Sequence, residues 1–309
     1  MKYIKFISWW NGFDPLNNLY KKNLFTDYEI DSQKYQILCI GSFISEKDYH
    51  YILESTAKKI LFITEPLSYM SQFKYTYLLY TSNHCDIVSG CIENNFDLNH
   101  LKFPLYMNYF NYKNPSFLSI NQKVHSISSL DQKKFCCLVN RHDIGNTRTC
   151  LYLLLNTIEK IDCPSKLFNN MSNELLNQIG NIQFYEKYIF QLCPENFKCN
   201  TFKGYITEKL LLCCLGGAIP IYQGHFDMID ASIFNENRII FYDPISIDSL
   251  LRTKSKINYL MNNPTELLSF YQQSIFKEEA YQQLQNLEDI FKQTINNNFY
   301  NNFNDNLHP

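Results

Sequence analysis

The run "GYITEKLLLCCLGGAIPIYQG", residues 204–224, constrains the fold more than any other part of this chain. An apolar segment opens at Thr207-Glu208-Lys209 and stops at Gly216-Gly217, and a second apolar segment, 218–222, follows at once. A capping Thr with an acid behind it starts a helix, and a Gly pair lets the chain reverse at the end. The reading is therefore helix, tight turn, buried strand. The same unit recurs along the chain. Strands are expected at 3–10, 36–43, 60–64, 86–89 and 103–107. After a polar connector at 111–132 they resume at 135–140, 188–193 and 239–242, with helices expected at 147–160, 172–179 and from Ile247 onward. Strands alternating with helices argue for parallel sheets with helices on their faces.

Two such blocks give an α/β chain of two Rossmann-like domains facing a central cleft, with 1–128 as the first and 129–309 as the second. Ligands in sheets of this kind bind beyond the carboxyl ends of the strands. Length and composition agree: 309 residues, 45% hydrophobic and 16% aromatic, supply two cores. A formal net charge of −2 gives no electrostatic reason to expect nucleic acid or an anionic membrane as partner. No stretch approaches the roughly 20 apolar residues of a membrane helix, so no transmembrane segment is expected. The opening "MKYIKFISWW" alternates with lysine and lacks the continuous apolar centre of a signal peptide. Eleven cysteines with no CxxC pair read as reduced, buried thiols in a cytoplasmic protein rather than as zinc ligands or disulfides. The tail from Asn296, "NNNFYNNFNDNLHP", is expected to fray.

Two cations stand where a helix macrodipole disfavours them. Lys209 lies in the first turn of the helix opened by Thr207, and Arg148 follows Asn146-Thr147 at the start of "TCLYLLLNTIEK". An anion held at both helix ends would reconcile the two, and a diphosphate is the obvious candidate. The alternative is that both side chains bend into water at a cost of a few tenths of a kcal/mol each. No P-loop, no GxGxxG and no Asp-x-Asp occurs, so the usual signatures for ATP, dinucleotides and a metal-held nucleotide-sugar are missing.

The run 188–224, "YIFQLCPENFKCNTFKGYITEKLLLCCLGGAIPIYQG", resembles the signature of the α-1,3/4-fucosyltransferases, glycosyltransferase family 10. Glu195-Asn196, Tyr205-Ile206-Thr207-Glu208-Lys209 and Pro220-Ile221-Tyr222-Gln223-Gly224 fill the family's places in order. Weaker similarity covers Trp9-Trp10, "FITEP" at 62–66, "PLY" at 104–106 and "NTRTCLYLLLNTI" at 146–158, closest in style to the soluble bacterial-type members. The resemblance implies a GT-B architecture and an inverting transfer of fucose from GDP-fucose to a hydroxyl of an acceptor glycan. It also implies that Arg148 and Lys209 neutralise the donor diphosphate, with no metal or other cofactor needed. Glu208 would hold donor hydroxyls, most readily the ribose, while Asn196 and Tyr205 complete the donor pocket. Glu65, ending the apolar strand "ILFIT", takes the place of the family's base glutamate, although most glutamates in such loops are simply solvated. His142 and Asp143 stand as rival acid–base or donor-pocket residues, or as a loop feature or helix cap. Glu195 stands as a donor-pocket residue or as a structural anchor for loop amides. Trp9 and Trp10 fit either an acceptor-sugar platform or the core. The loop after Asn196, with Lys198, Cys199 and Lys203, is longer than in typical members, and it falls where donor recognition takes place. A transferase for another NDP-sugar and a non-catalytic nucleotide-sugar binder are the competing readings.

Overall fold

The computed structural model describes residues 2–65, 73–90, 100–113, 117–143, 146–196 and 204–300. The readings made on 197–203, on Cys91 and on the tail beyond residue 300 lie outside the described residues. Two compact units divide the chain, Met1–Asn111 with Gln282–Pro309, and Tyr112–Tyr281. The sequence boundary at 128/129 thus falls one helix further along than this division.

The first unit holds β1 (Lys2–Ile7), α1 (Leu19–Leu24), β2 (Tyr28–Ile30), β3 (Ile37–Ile40), α2 (Glu46–Glu54), β4 (Lys58–Ile63), α3 (Lys74–Thr81), β5 (Ile87–Gly90) and β6 (His100–Lys102). They form one sheet in the order β2-β1-β3-β4-β5-β6, with every pairing parallel. β3 and β5 are buried along their whole length, as strands covered on both faces must be. One face packs Leu38, Ile40, Leu61 and Ile63 against Ile52 of α2 and Leu79 of α3. On the other, Phe62 lies 5.2 Å from Tyr20 and 5.4 Å from Trp9 between ring centroids. Trp9 stacks on Phe13 at 4.3 Å and donates its indole N–H to the Cys39 carbonyl at 3.1 Å. Of its two sequence readings, packing within the fold is the one observed.

The second unit carries α4 (Phe117–His125), β7 (Lys134–Cys137), α5 (Thr149–Leu155), β8 (Ile161–Asp162), α6 (Glu174–Tyr185), β9 (Tyr188–Pro194), α7 (Glu208–Gly216), β10 (Ile219–Gln223), α8 (Met228–Ile233), β11 (Ile240–Phe241), α9 (Ile247–Asn262) and α10 (Pro264–Gln272). Its sheet runs β11-β10-β9-β7-β8, again all parallel. The chain moves outward from β7 to β8 and then returns to the far side of β7 with β9. The strand order therefore reverses between β7 and β9, and crevices for ligands form at such reversals. α4 joins this unit because the Asn121 amide is spent on it, accepting from Ile275 and Phe276 N–H at 2.8 and 3.0 Å and donating to the Phe276 carbonyl at 2.8 Å.

The last helix, α11 (Ala280–Tyr300), returns to the first unit. Phe291 sits 5.9 Å from Phe62, 5.5 Å from Phe103 and 6.4 Å from Phe25. Burying one such ring is worth roughly 1.5–3 kcal/mol. α11 also carries the start of the asparagine-rich tail, so residues 296–300 are helical.

Some local expectations change. The strand expected at 103–107 is a 3-10 turn, Leu105–Asn108, entered from Pro104, which has no N–H to give a ladder; the strand itself ends earlier, at Lys102. The helix expected over 147–160 is shorter, Thr149–Leu155. The edge strands β2 and β8, three and two residues long, were not anticipated.

Candidate functional site

The residues singled out in the second half of the sequence meet at the β7/β9 reversal. His142 and Asp143 follow β7, and Glu195-Asn196 follow β9. Arg148 opens α5, and Tyr205 to Lys209 lead into α7. α7 forms as its sequence dictates. The Thr207 hydroxyl accepts from the Lys209 N–H at 3.4 Å, and Gly217 closes the helix in the left-handed conformation at φ 75°. Gly216 cannot be larger, because a Cβ there would lie 2.6 Å from Tyr185 Cβ, where α6 and α7 touch.

Glu195 is the anchor of this corner. With 0% exposure, its Oε1 accepts from the Thr207 N–H at 2.9 Å and from the Tyr222 hydroxyl at 2.9 Å, and its Oε2 accepts from the Thr207 hydroxyl at 2.7 Å. Burial raises its pKa, against the pull of Lys209 and Thr207. Of its two sequence readings, loop anchoring is the observed contact. Asp143 likewise caps α5 from upstream. Its Oδ1 accepts from the Thr147 and Arg148 N–H groups at 2.9 and 3.2 Å, and its Oδ2 from the Thr149 N–H at 2.9 Å.

These two carboxylates correct the dipole argument. The first amides of α5 bond Asp143, and those of Thr207 and Lys209 are taken by Glu195 and the Thr207 hydroxyl. These amides are occupied, so an anion here is left to the side chains of Arg148 and Lys209.

Arg148 is buried, with 1% exposure. Its Nη1 donates to the His142 carbonyl and its Nη2 to Asn196 Oδ1 at 2.9 Å. Its Nε is buried and has no hydrogen-bond partner among the described residues. Burial lowers its pKa, with Asp143 opposing. Lys209 is held by the Thr207 hydroxyl at 3.1 Å and Glu208 Oε1 at 3.3 Å, with Glu195 Oε2 at 3.9 Å. Burial pulls its pKa down, but Glu208 and Glu195 outweigh that and leave it raised. Lys209 stays charged although little of it meets solvent.

Arg148, Lys209, Asn196, His142 and Glu208 line one cavity of about 230 Å³. A larger one, about 960 Å³, shares Val139, Arg141, Asn181 and Glu208 with it and is walled on its far side by Lys166, Asn169, Asn173 and Asn177. Glu208 stands at the junction of the two. Tyr205 is buried beside its neighbour Ile206 rather than among the lining residues. The asparagines of α6 were not singled out from the sequence, where a polar helix gives no sign of what it faces. His142 is mostly solvent-exposed, and its pKa is lowered by desolvation, Arg148 and Lys209 in that order.

Glu65 lies in the first unit, half-buried, two residues past the end of β4. The strand end is clamped: the Thr64 N–H donates to the Ser42 hydroxyl at 2.8 Å, which donates to the Phe62 carbonyl at 3.1 Å. Among the described residues no group of three or more His, Cys, Asp or Glu side chains could hold a metal, and no helix is long and apolar enough to cross a membrane. The described cysteines are free thiols, buried except for Cys150.

Across 95% of its length the chain superposes on a crystal structure of an α1,3-fucosyltransferase with a TM-score of 0.72 at 19% identity, covering 90% of that chain. The chain has the fold of the α1,3-fucosyltransferases. Crystal structures of an α1,3-fucosyltransferase with GDP and with GDP-fucose superpose over the same shares with TM-scores of 0.67 and 0.65, at 18% and 17% identity. By sequence it is 26% identical over 182 residues to the α-(1,3)-fucosyltransferase FucT of Helicobacter pylori. That match covers 55% of this chain and 36% of the relative, so the chain spans a little over a third of the curated relative it matches. No family model matches the sequence. The resemblance carried by residues 188–224 and the likeness of the whole structure agree on the fold. The two parallel sheets are the two Rossmann-like halves of a GT-B protein.

Proposed function

We propose that this chain is an inverting fucosyltransferase, moving fucose from GDP-fucose to a hydroxyl of an acceptor glycan. The observation that carries the reading is the pair of cations at the β7/β9 reversal. Arg148 is 1% exposed, is held by two neutral acceptors, and presents a buried Nε with no partner among the described residues beside the Lys209 ammonium. A buried guanidinium without an ion pair is costly unless an anion arrives. A diphosphate supplies that anion, and the shared wall at Glu208 leads from its cavity to one large enough for a nucleoside. The neighbours solved with GDP and GDP-fucose support the choice of donor.

In this reading Arg148 and Lys209 grip the diphosphate, Glu208 takes the ribose hydroxyls, and Asn196 and Tyr205 shape the pocket behind them. Asp143 and Glu195 position the two cations through the caps they supply. The acceptor oxygen forms its bond to the anomeric carbon from the face opposite the diphosphate. The bond from that carbon to the phosphate oxygen breaks, its electron pair leaving with GDP. Glu65 takes the acceptor proton as general base. Two fixed positive charges at the departing diphosphate supply the stabilisation that such a transition state needs, and we propose that no metal is required.

Thermal stability against GDP, UDP, CMP, ADP and dTDP, without added metal, tests the donor. A nucleotide at about 100 times its dissociation constant adds roughly 2.7 kcal/mol to the folded state. Stabilisation by GDP alone is expected. Stabilisation by UDP or dTDP instead moves the donor to another sugar nucleotide, and none by any of the five overturns the reading.

A further inference from the structure

A third cavity, about 540 Å³, opens at the carboxyl ends of β10 and β11 and is lined by Gly224, His225, Phe226, Phe241, Asp243 and Ser249, among others. It lies on the same edge of the second sheet as the cations, one to two strand spacings from β9, or roughly 5–10 Å. Its volume falls within the roughly 300–1,000 Å³ of small-molecule sites. None of these side chains has a part in the grip on the diphosphate.

The wall of this cavity is built into the cation site. Tyr242 lies beside Phe241, and its hydroxyl donates to the carbonyl of Thr147, the residue before Arg148, at 2.8 Å. The Gly204 N–H donates to the His225 carbonyl at 2.8 Å, which ties the start of the Tyr205–Lys209 segment to the cavity rim. Gly224 has to be glycine, because a Cβ there would collide with the Tyr222 hydroxyl that bonds Glu195. The lining is equally set. Phe241 packs edge-on to Phe226 and Tyr222, at 5.4 and 6.0 Å, and remains 38% exposed. Asp243 is fixed by its own turn, with Oδ1 accepting from the Ile245 N–H at 3.0 Å and its N–H donating to the Ser249 hydroxyl at 2.9 Å.

From this arrangement we infer that the cavity is a pyranose subsite, in which Phe241 meets the C–H face of a sugar ring and His225 and Asp243 take its hydroxyls. A pyranose has one apolar face and a polar rim, and an exposed aromatic face beside an imidazole and a carboxylate matches both. The nucleoside-sized cavity lies on the β7 and α6 side of the cations, and this one lies on the other side. A ligand with its nucleoside in the first cavity and its diphosphate on the cations has room to extend toward this one. The inference rests on the fucosyltransferase reading, and the ring belongs either to the donor or to the acceptor.

The test uses Phe241→Ala and His225→Ala in the full chain. Each is expected to bind GDP within about two-fold of wild type while losing at least about 10-fold in transfer kcat/KM. A donor ring is indicated if the affinity for GDP-fucose falls while that for GDP does not. An acceptor ring is indicated if the acceptor KM rises while slow GDP-fucose hydrolysis is unchanged. Either result supports the subsite. Normal GDP-fucose affinity and normal acceptor KM in both variants overturn it. Saturation-transfer NMR with free L-fucose, galactose and N-acetyllactosamine gives a readout independent of turnover. Signals that Phe241→Ala abolishes are expected, and equal signals from both proteins overturn the subsite. GDP binding by the wild type is measured alongside, so failure of the nucleotide reading is seen separately.

Discussion

Replacing Arg148 with glutamine separates a binding role from a structural one. In the ligand-free protein Arg148 makes two hydrogen bonds, to the His142 carbonyl and to Asn196 Oδ1, both on residues that water reaches. Each is donated by a charged group and is worth about 1.5–3 kcal/mol net. Against that stands the desolvation of a guanidinium that is 1% exposed and makes no ion pair among the described residues, a penalty of several kcal/mol. A neutral glutamine amide can still donate to Asn196. Ligand-free stability should therefore change by no more than about 1 kcal/mol, in either direction. Nucleotide binding should behave otherwise. A hydrogen bond to a charged group is worth about 1.5–3 kcal/mol, so loss of one such contact to the diphosphate weakens GDP roughly 10- to 150-fold. Urea denaturation and calorimetric titration with GDP read the two quantities on one preparation. A variant that binds GDP as wild type does but has lost several kcal/mol of stability would refute the argument, since Arg148 would then be a structural residue.

Three further changes probe other parts of the account. Glu65→Gln should leave GDP affinity unchanged and abolish transfer; transfer that survives removes Glu65 as the base. Glu195→Ala leaves the Thr207 N–H, the Thr207 hydroxyl and the Tyr222 hydroxyl without their buried acceptor. It should cost about 3 kcal/mol or more in urea denaturation and weaken GDP with it; a stable variant with normal GDP affinity contradicts the anchoring role. The His142 pKa lies below its ordinary value because of partial desolvation, Arg148 and Lys209. For a depressed folded-state value, this group's contribution to stability is present above the unfolded value of about 6.5 and is lost as pH falls through the folded value. A diphosphate on the two cations cancels part of their field, so GDP should raise the His142 pKa in an NMR titration. An unchanged pKa with GDP bound puts the anion elsewhere.

The alternating pattern made the parallel architecture legible, because helix and strand periods are local properties of the chain. α7 was readable to its ends for the same reason: Thr207 and Gly217 act on their own turns. Lys209 and Arg148 were recognisable as misfits from their positions alone. What answers the misfit was open: a helix cap was one of several readings of Asp143 and a loop anchor one of two for Glu195, and Asp143 in fact holds the Arg148 amide from five residues upstream. Glu195 reaches Thr207 across twelve residues of chain. Edge strands of two or three residues carry too few side chains to show a period. The return of α11 depends on Phe291 meeting Phe25, Phe62 and Phe103, contacts that no local pattern encodes. The cavity at Phe241 was equally hidden, because it forms only when the ends of β10 and β11 come together.

The most direct test of the proposed transfer is an NMR time course of GDP-fucose with the purified chain and a panel of glycan acceptors. The account predicts that GDP is released and that fucose reappears on an acceptor with its anomeric configuration inverted. GDP-fucose that binds and stays intact with every acceptor would contradict it and leave a nucleotide-sugar binder.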